Sequence, residues 1–215
     1  MIQDFPIIKE SDNIDRVSEV AFEFDVFHVP IVKGEKYVGL LPFDILSELD
    51  ILEDKKILEF RNDLLPISIK ESDFVFSAIK PIADMELTLM PVVDENEKLI
   101  GVIRNIDIIK YLSQTISLSE PGSFITLMVN QRDYNLQEIS RIVESNNAKV
   151  LSLYLEPTNE TDEMLVTLKI DRKIISHILA TFNRFGYQYL AHSGFEEHNN
   201  DLLDRYRLLM KMMNI

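Results

Sequence analysis

Apolar positions in the first half of this chain follow one order, and that order occurs twice. Ile14, Val17, Val20, Ala21 and Phe24 fall on one face of a helix with 3.6 residues per turn. Val75, Ala78, Ile79 and Ile82 form a second such stripe, which Pro81 is predicted to end or kink. Ser11-Asp12 and Ser72-Asp73 precede the two stripes and offer side-chain oxygens as helix caps. Each helix leads into a β-rich run, His28-Val29-Pro30-Ile31-Val32 in one case and Thr88 to Val93 in the other. Polar turns then connect to Tyr37-Val38-Gly39-Leu40-Leu41 and Leu99-Ile100-Gly101-Val102-Ile103, which predicts a hairpin in each copy. A helix is expected to close each copy, over Phe43–Leu49 and Asn105–Ser113.

The repetition is partly literal. Ile8-Lys9-Glu10-Ser11-Asp12 returns as Ile69-Lys70-Glu71-Ser72-Asp73, an offset of 61 that also carries Pro30-Ile31-Val32 onto Pro91-Val92-Val93. Seventeen residues separate the Asp from the Pro in both copies, so the segment is a duplication. Neither copy is large enough to cover its own apolar face, and the two are expected to pack together.

The pattern changes after Leu118-Ser119-Glu120-Pro121-Gly122-Ser123, whose small and polar residues mark a boundary. Strands are predicted at Phe124–Val129, Val150–Leu155, Met164–Ile170 and Tyr187–Ala191, and helices at Leu136–Ser145 and Ile174–Phe185, the latter stopped by Gly186. That order, βαββαβ, is the ferredoxin-like arrangement. The last stretch, Asn199 to Ile215, reads as an amphipathic helix with Leu202, Leu203, Tyr206, Leu209, Met210 and Met213 on one face. Such a face packs either on the protein's own core or on a partner, and its methionines suit an adaptable contact. The fold class is therefore expected to be α/β (α+β). Its parts are repeat 1 over 1–60, repeat 2 over 61–117, a linker over 118–122, a ferredoxin-like domain over 123–195 and a C-terminal helix over 196–215.

Charge narrows the partners. A net charge of −14, from 36 acidic residues, repels phosphate backbones and anionic lipid, so neither nucleic acid nor a membrane is expected as a partner. A small anion can still bind where backbone amides and basic side chains converge. Most of the acidity reads simply as a solubility device. No run approaches the ~20 apolar residues of a membrane span, and Met1-Ile2-Gln3-Asp4 lacks a secretory start. The absence of cysteine excludes disulfides and fits a cytoplasmic location.

Pro91-Val92-Val93-Asp94, a polar turn, Leu99-Ile100-Gly101-Val102-Ile103 and Asp107 opening a helix together resemble the core of a CBS domain, and His28 through Gly39 to Asp44 is similar. The length and element order of the C-terminal part resemble an ACT domain. The combination resembles the acetoin-utilisation family of accessory proteins, an analogy of fold alone. The CBS resemblance implies a regulatory homodimer that binds an adenosine-type ligand such as AMP, ADP, ATP or S-adenosylmethionine between its repeats, with no obligatory cofactor. It implies that Asp107 accepts hydrogen bonds from both ribose hydroxyls. It also places adenine against the strand starts, at Val29 and Met90 with His28 and Leu89 before them. The family's Ser or Thr three residues before that Asp is Arg104 here, a side chain able to grip phosphate or to stay solvated.

Each assignment has a structural counterpart. Asp107 is also an acid in a first helical turn, favoured by the helix dipole, and the strand residues also read as core. Gly39 to Asp44 spans five residues and Gly101 to Asp107 six, which rotates Asp44 by roughly 100° and favours a capping role for it. The loop Asn130–Asn135 lacks the glycine usual at ACT ligand sites, so that domain reads either as ligand-binding or as a dimerisation and docking surface. No phosphate loop, H-E-x-x-H or G-x-S-x-G motif is present, and no enzyme activity is expected. His192 and His198, near Glu196 and Glu197, offer only a weak metal pattern and no metal is expected. A second function stands beside the sensor: a structural module with degenerate clefts that docks a partner enzyme.

Overall fold

The computed structural model of the chain describes residues 2–48, 55–158 and 162–193. The chain divides into two compact units, Met1–Leu112 and Ser113–Ile215.

In the first unit, β1 (Ile8–Lys9), α1 (Asp15–Phe24), β2 (His28–Lys33) and β3 (Lys36–Pro42) are followed by a 3-10 helix, Phe43–Glu48, and a second at Ile57–Asp63. The path then repeats as β4 (Ile69–Lys70), a 3-10 turn Val75–Ala78, α2 (Ile79–Asp84), β5 (Leu89–Val93), β6 (Leu99–Arg104) and α3 (Asn105–Ser113). The two sheets have the same order, β1-β2-β3 and β4-β5-β6. In each, the two-residue strand runs parallel to the first hairpin strand, with Ile8 opposite Ile31 and Ile69 opposite Val92. Both hairpins carry a register shift at the same place, after Ile31 and after Val92.

Each repeat also supplies a backbone bridge to the other's sheet. Ile2 pairs with Val102 of β6, and Leu65, on the way into the second repeat, pairs with Leu40 of β3. Gly39 makes room for that second crossing: a Cβ there would stand 2.7 Å from the Leu64 Cβ. One core results, in which Ile8, Val17, Val29, Ile31 and Leu40 pack with Leu87, Leu89, Met90 and Val102. Shared burial of this kind is what two undersized repeats need.

Three local readings of the sequence are corrected. Asp12 and Asp73 cap no helix: each carboxylate turns back to accept the amide of Lys9 or Lys70, 2.9 Å away, and α1 has no side-chain cap. The second stripe splits into the 3-10 turn and α2, which sets Pro81 in the first turn of α2, where a missing N–H leaves no bond unmade. The helix expected at Phe43–Leu49 is a 3-10 helix over Phe43–Glu48.

The second unit holds α4 (Ile116–Ser119), β7 (Ser123–Asn130), α5 (Leu136–Ser145), β8 (Val150–Pro157), β9 (Glu163–Ile170), α6 (Ser176–Arg184) and β10 (Gln188–Ser193). Its four strands are antiparallel in the order β10-β7-β9-β8, the ferredoxin-like order. Ile139, Ile142 and Val143 of α5 and Ile178, Leu179 and Phe182 of α6 close over Ile125, Leu127, Val166 and Leu168. The Asn135 side chain caps α5 by accepting the Glu138 amide at 3.1 Å. Helix α4 overlaps the start of the stretch read as a boundary. The expected architecture, a mixed α+β chain with two like repeats followed by a ferredoxin-like domain, is the one found. The helix expected at Asn199 to Ile215 lies outside the described residues.

Candidate functional site

Strand β6 ends with Arg104 opposite Leu89, and the next amide, that of Asn105, donates to the Thr88 carbonyl at 3.0 Å. The first turn of α3 then brings Asp107 back over Arg104, three residues earlier. Arg104 grips that carboxylate with both arms, Nε to Oδ2 at 3.1 Å and Nη2 to Oδ1 at 3.1 Å, and its own amide donates to Oδ2 at 3.3 Å. The side chains are 26% and 22% exposed, so the pair is only partly withdrawn from water. The Arg104 hydrogen bonds hold the Asp107 carboxyl below its ordinary pKa against the opposing effect of burial. The same bonds raise the guanidinium pKa, and Asp25 of the first repeat lies near enough to add to the rise.

The corresponding corner of the first repeat is built differently. Pro42 faces His28 as Arg104 faces Leu89, and the Phe43 amide donates to the Phe27 carbonyl at 2.8 Å as Asn105 does to Thr88. Counting on from those matched residues, Ile45 takes the place of Asp107, and Asp44 that of Ile106. Asp44 is exposed and does not sit where Asp107 sits.

The repeats meet at their first hairpin strands. The Phe27 amide donates to Thr88 Oγ1 at 2.9 Å, and the Thr88 amide donates to His28 Nδ1 at 3.3 Å, with Thr88 Oγ1 itself 3.2 Å from that nitrogen. An Nδ1 that accepts an amide proton carries none of its own, which assigns the ring proton to Nε2. Burial lowers the His28 pKa, and the Asp44 charge pulls it partly back. At the hairpin tips two ion pairs reciprocate, Lys36 with Glu97 and Lys98 with Glu35, each at 3.2 Å.

Of the residues singled out in the sequence, Asp107 and Arg104 are thus joined directly, and His28 lies at the repeat junction. Val29, Leu89 and Met90 are 0% exposed, so what they can offer a ligand is backbone. Thr88 and Asp25 were not foreseen. Their signal was the offset of 61, which pairs Thr88 with Phe27 and Asp25 with Glu86, both helix-ending residues at φ 53°. In the second unit, the loop after β7 folds on itself, with Asn130 Oδ1 accepting the Arg132 amide at 3.0 Å. A cleft of about 490 Å³ lies elsewhere in that unit, between Glu120, Pro121, Lys149, Leu151, Asp171 and Lys173. His192 belongs to β10, while His198, Glu196 and Glu197 lie outside the described residues.

Residues 65–114, which run from the Leu65 crossing through α3, match the CBS domain family, so the chain contains a CBS domain there. Among curated proteins, the chain is similar to a homoserine O-acetyltransferase of Methanohalobium evestigatum, 25% identical over 115 residues that make up 53% of this chain and 23% of that one. It is also similar to an uncharacterized protein of Methanocaldococcus jannaschii, 33% identical over 86 residues, 39% of this chain and 28% of that one. The chain therefore spans about a quarter of the length of the curated relatives it matches. Among solved structures it is similar to a CBS domain pair/ACT domain protein from Thermotoga maritima, at 23% identity and a TM-score of 0.45, covering 51% of this chain and 89% of that one. No helix among the described residues is long and apolar enough to cross a membrane.

Proposed function

We propose that this chain is a non-catalytic regulatory module that senses an adenosine-type nucleotide at the junction of its repeats, through the second repeat. The observation that carries this reading is the two-armed Arg104–Asp107 pair in the first turn of α3, within the CBS domain and beside Asp25 of the other repeat. In the bound state Asp107 would accept from the ribose hydroxyls, Arg104 would take phosphate, and the backbone of Val29 and Met90, with His28 and Leu89 alongside, would border the base. Asp44, exposed and out of register, would serve the 3-10 helix rather than a ligand. The domain limits follow the repeats, 1–60 and 61–117, then a linker over 118–122, an ACT-like domain over 123–195 and a terminal helix over 196–215. The ACT-like domain would serve dimerisation or a second ligand.

A homodimer is the expected state, since Phe74 is 77% exposed and Phe76, Ile109 and Tyr111 are exposed on the same repeat. The cysteine-free, acidic composition fits a cytoplasmic location without nucleic-acid or membrane partners. Calorimetric titration with AMP, ADP, ATP and S-adenosylmethionine tests the sensor. Micromolar binding of at least one is expected, and no heat from any of them with folded protein would overturn it.

The complete burial of Met90 and the engagement of both Asp107 oxygens favour a second reading, a structural module whose clefts are closed and whose surface docks a partner enzyme. That reading predicts no nucleotide retained on freshly purified protein in native mass spectrometry, whereas the sensor predicts retained nucleotide on a dimer.

A further inference from the structure

We propose that residues 199–215 pack as a helix along the open face of the four-stranded sheet in their own chain, acidic end first, so that this sheet is covered on both sides. Nothing in this depends on nucleotide binding by the repeats.

Helices α5 and α6 close over Ile125, Leu127, Val166 and Leu168, so the alternate residues of the strands point the other way. They form rows across the sheet, among them Phe124 with Lys169, and Met128 with Leu165 and Glu156. This side does not have the burial of a solvated surface. Thr126 is 5% exposed and Lys169 6% exposed. Opposite Lys169, Ser152 Oγ is buried with no hydrogen-bond partner among the described residues. The Lys169 ammonium stands 4.5 Å from the Phe124 ring centroid, and among the described residues no carboxylate pairs with it. A charge buried to that degree is costly without an anion nearby.

The chain's own continuation suits this face in position, length and charge. Strand β10 runs antiparallel to β7 and ends at Ser193, opposite Phe124, so the chain leaves the sheet in the row that holds Lys169. Five residues, 194–198, are enough to turn from that edge onto the face. A helix over 199–215 rises about 25 Å and an eight-residue strand such as β9 about 26 Å, so one spans the other. Its apolar stripe, from Leu202 to Met213, supplies the covering layer that one side of a sheet needs. The charges run in matching order. Glu196, Glu197, Asp201 and Asp204 come first, at the Lys169 end, and Arg205, Arg207 and Lys211 follow toward Glu156 and Glu163 at the other. The reverse direction would set acid on acid, so charge selects the orientation. A five-residue tether also holds the segment at a roughly millimolar effective concentration, which favours its own sheet over that of a second copy.

The chain has no cysteine, so introduced pairs report contact without background. Leu165→Cys with Leu209→Cys sets one thiol on the open face and one on the apolar stripe. Met128→Cys with Leu209→Cys does the same from the neighbouring strand, so a failure of one pair to fold leaves the other. Leu165→Cys with Asp204→Cys is the control, since Asp204 lies about 140° round the helix from Leu209. Each full-length variant is checked by its thermal melt and oxidised mildly, and the products are read by non-reducing gel and peptide mass. Both Leu209 pairs are expected to close within one chain at least tenfold faster than the control, at a rate unchanged by dilution, because a disulfide needs Cβ atoms within about 4.5 Å. Covalent dimers whose yield falls on dilution would give the face to a second copy and overturn the proposal. No disulfide from folded protein, or closure no faster than in the control, would overturn it as well.

Discussion

In the first repeat, β3 ends at Pro42 and the chain enters a 3-10 helix, Phe43–Glu48. In the second, β6 ends at Arg104 and the chain enters the α-helix Asn105–Ser113. Up to that point the repeats share their backbone landmarks, although the first helix of the second repeat is split and its hairpin turn is one residue longer. The parallel strand pairing, the Asp12 and Asp73 turns, the left-handed Asp25 and Glu86 and the hairpin bulges all correspond. After it, a proline without an amide stands where Arg104 donates its amide to Asp107, and the acid that follows arrives one residue early. A duplicated scaffold has thus kept its backbone bonds in both copies while only one copy kept charged side chains at the corner. Backbone pairing tolerates most side chains, whereas a two-armed ion pair needs two particular residues at one spacing.

Removing a matched pair of core side chains gives the largest test of this comparison. Ile8 and Ile69 occupy the same position on the two short strands, but Ile8 is 0% exposed and Ile69 is 8% exposed. Ile8→Ala is expected to cost about 4 kcal/mol and Ile69→Ala about 2–3 kcal/mol, as read from urea unfolding. Equal losses would show that the copies are energetically alike despite their different ends.

A smaller effect is expected at the junction, and it depends on pH. Because burial lowers the His28 pKa, the folded protein binds this proton less readily than the unfolded chain does. The stability it contributes is therefore complete above the unfolded value, about 6.5, and is lost as pH falls through the folded one. Protonated Nδ1 would also face the Thr88 amide donor-to-donor. The melting temperature of wild type should drop between pH 7 and pH 5, and that of His28→Gln should drop less. Parallel curves would remove the histidine from the account.

The smallest effect belongs to the hairpin tips. Lys36→Ala and Lys98→Ala each break one of two reciprocal ion pairs whose side chains are mostly exposed, and each should cost less than about 0.5 kcal/mol at moderate salt. A larger, unequal pair of losses would mean that the tips hold the repeats in register.

Much of this architecture was legible because the duplication preserved the residues a backbone cannot do without. Pro30 and Pro91, at the same distance from the repeated pentapeptide, together with Gly39 and Gly101 and the polar turns, located β2, β3, β5 and β6 to within a residue or two, and the β-rich runs of the second unit did the same for its strands. The caps were misread for a local reason. Strand β1 ends so soon before α1 that the Asp12 carboxylate is taken up by the Lys9 amide before the helix begins. Arg104 and Asp107 were visible as candidates through the resemblance to the CBS core. Their mutual grip was not, because the same arginine reads equally well as a solvated charge until β6 fixes where it points. The Thr88–His28 contact joins residues sixty apart in the chain, and nothing in either local sequence announces it.

The exchanged bridges, Ile2 to Val102 and Leu65 to Leu40, have a consequence in time. Residue 2 leaves the ribosome about a hundred residues ahead of its strand partner, an interval on the order of ten seconds at ordinary rates of synthesis. Leu65 meets Leu40 with a far shorter wait. The first sheet can therefore be finished while the chain is still growing, but the second repeat has to receive its outer bridge from a segment that has been waiting. Closure of the pair is a late event, and until it happens the edge of β6 stays open to any other strand that arrives first.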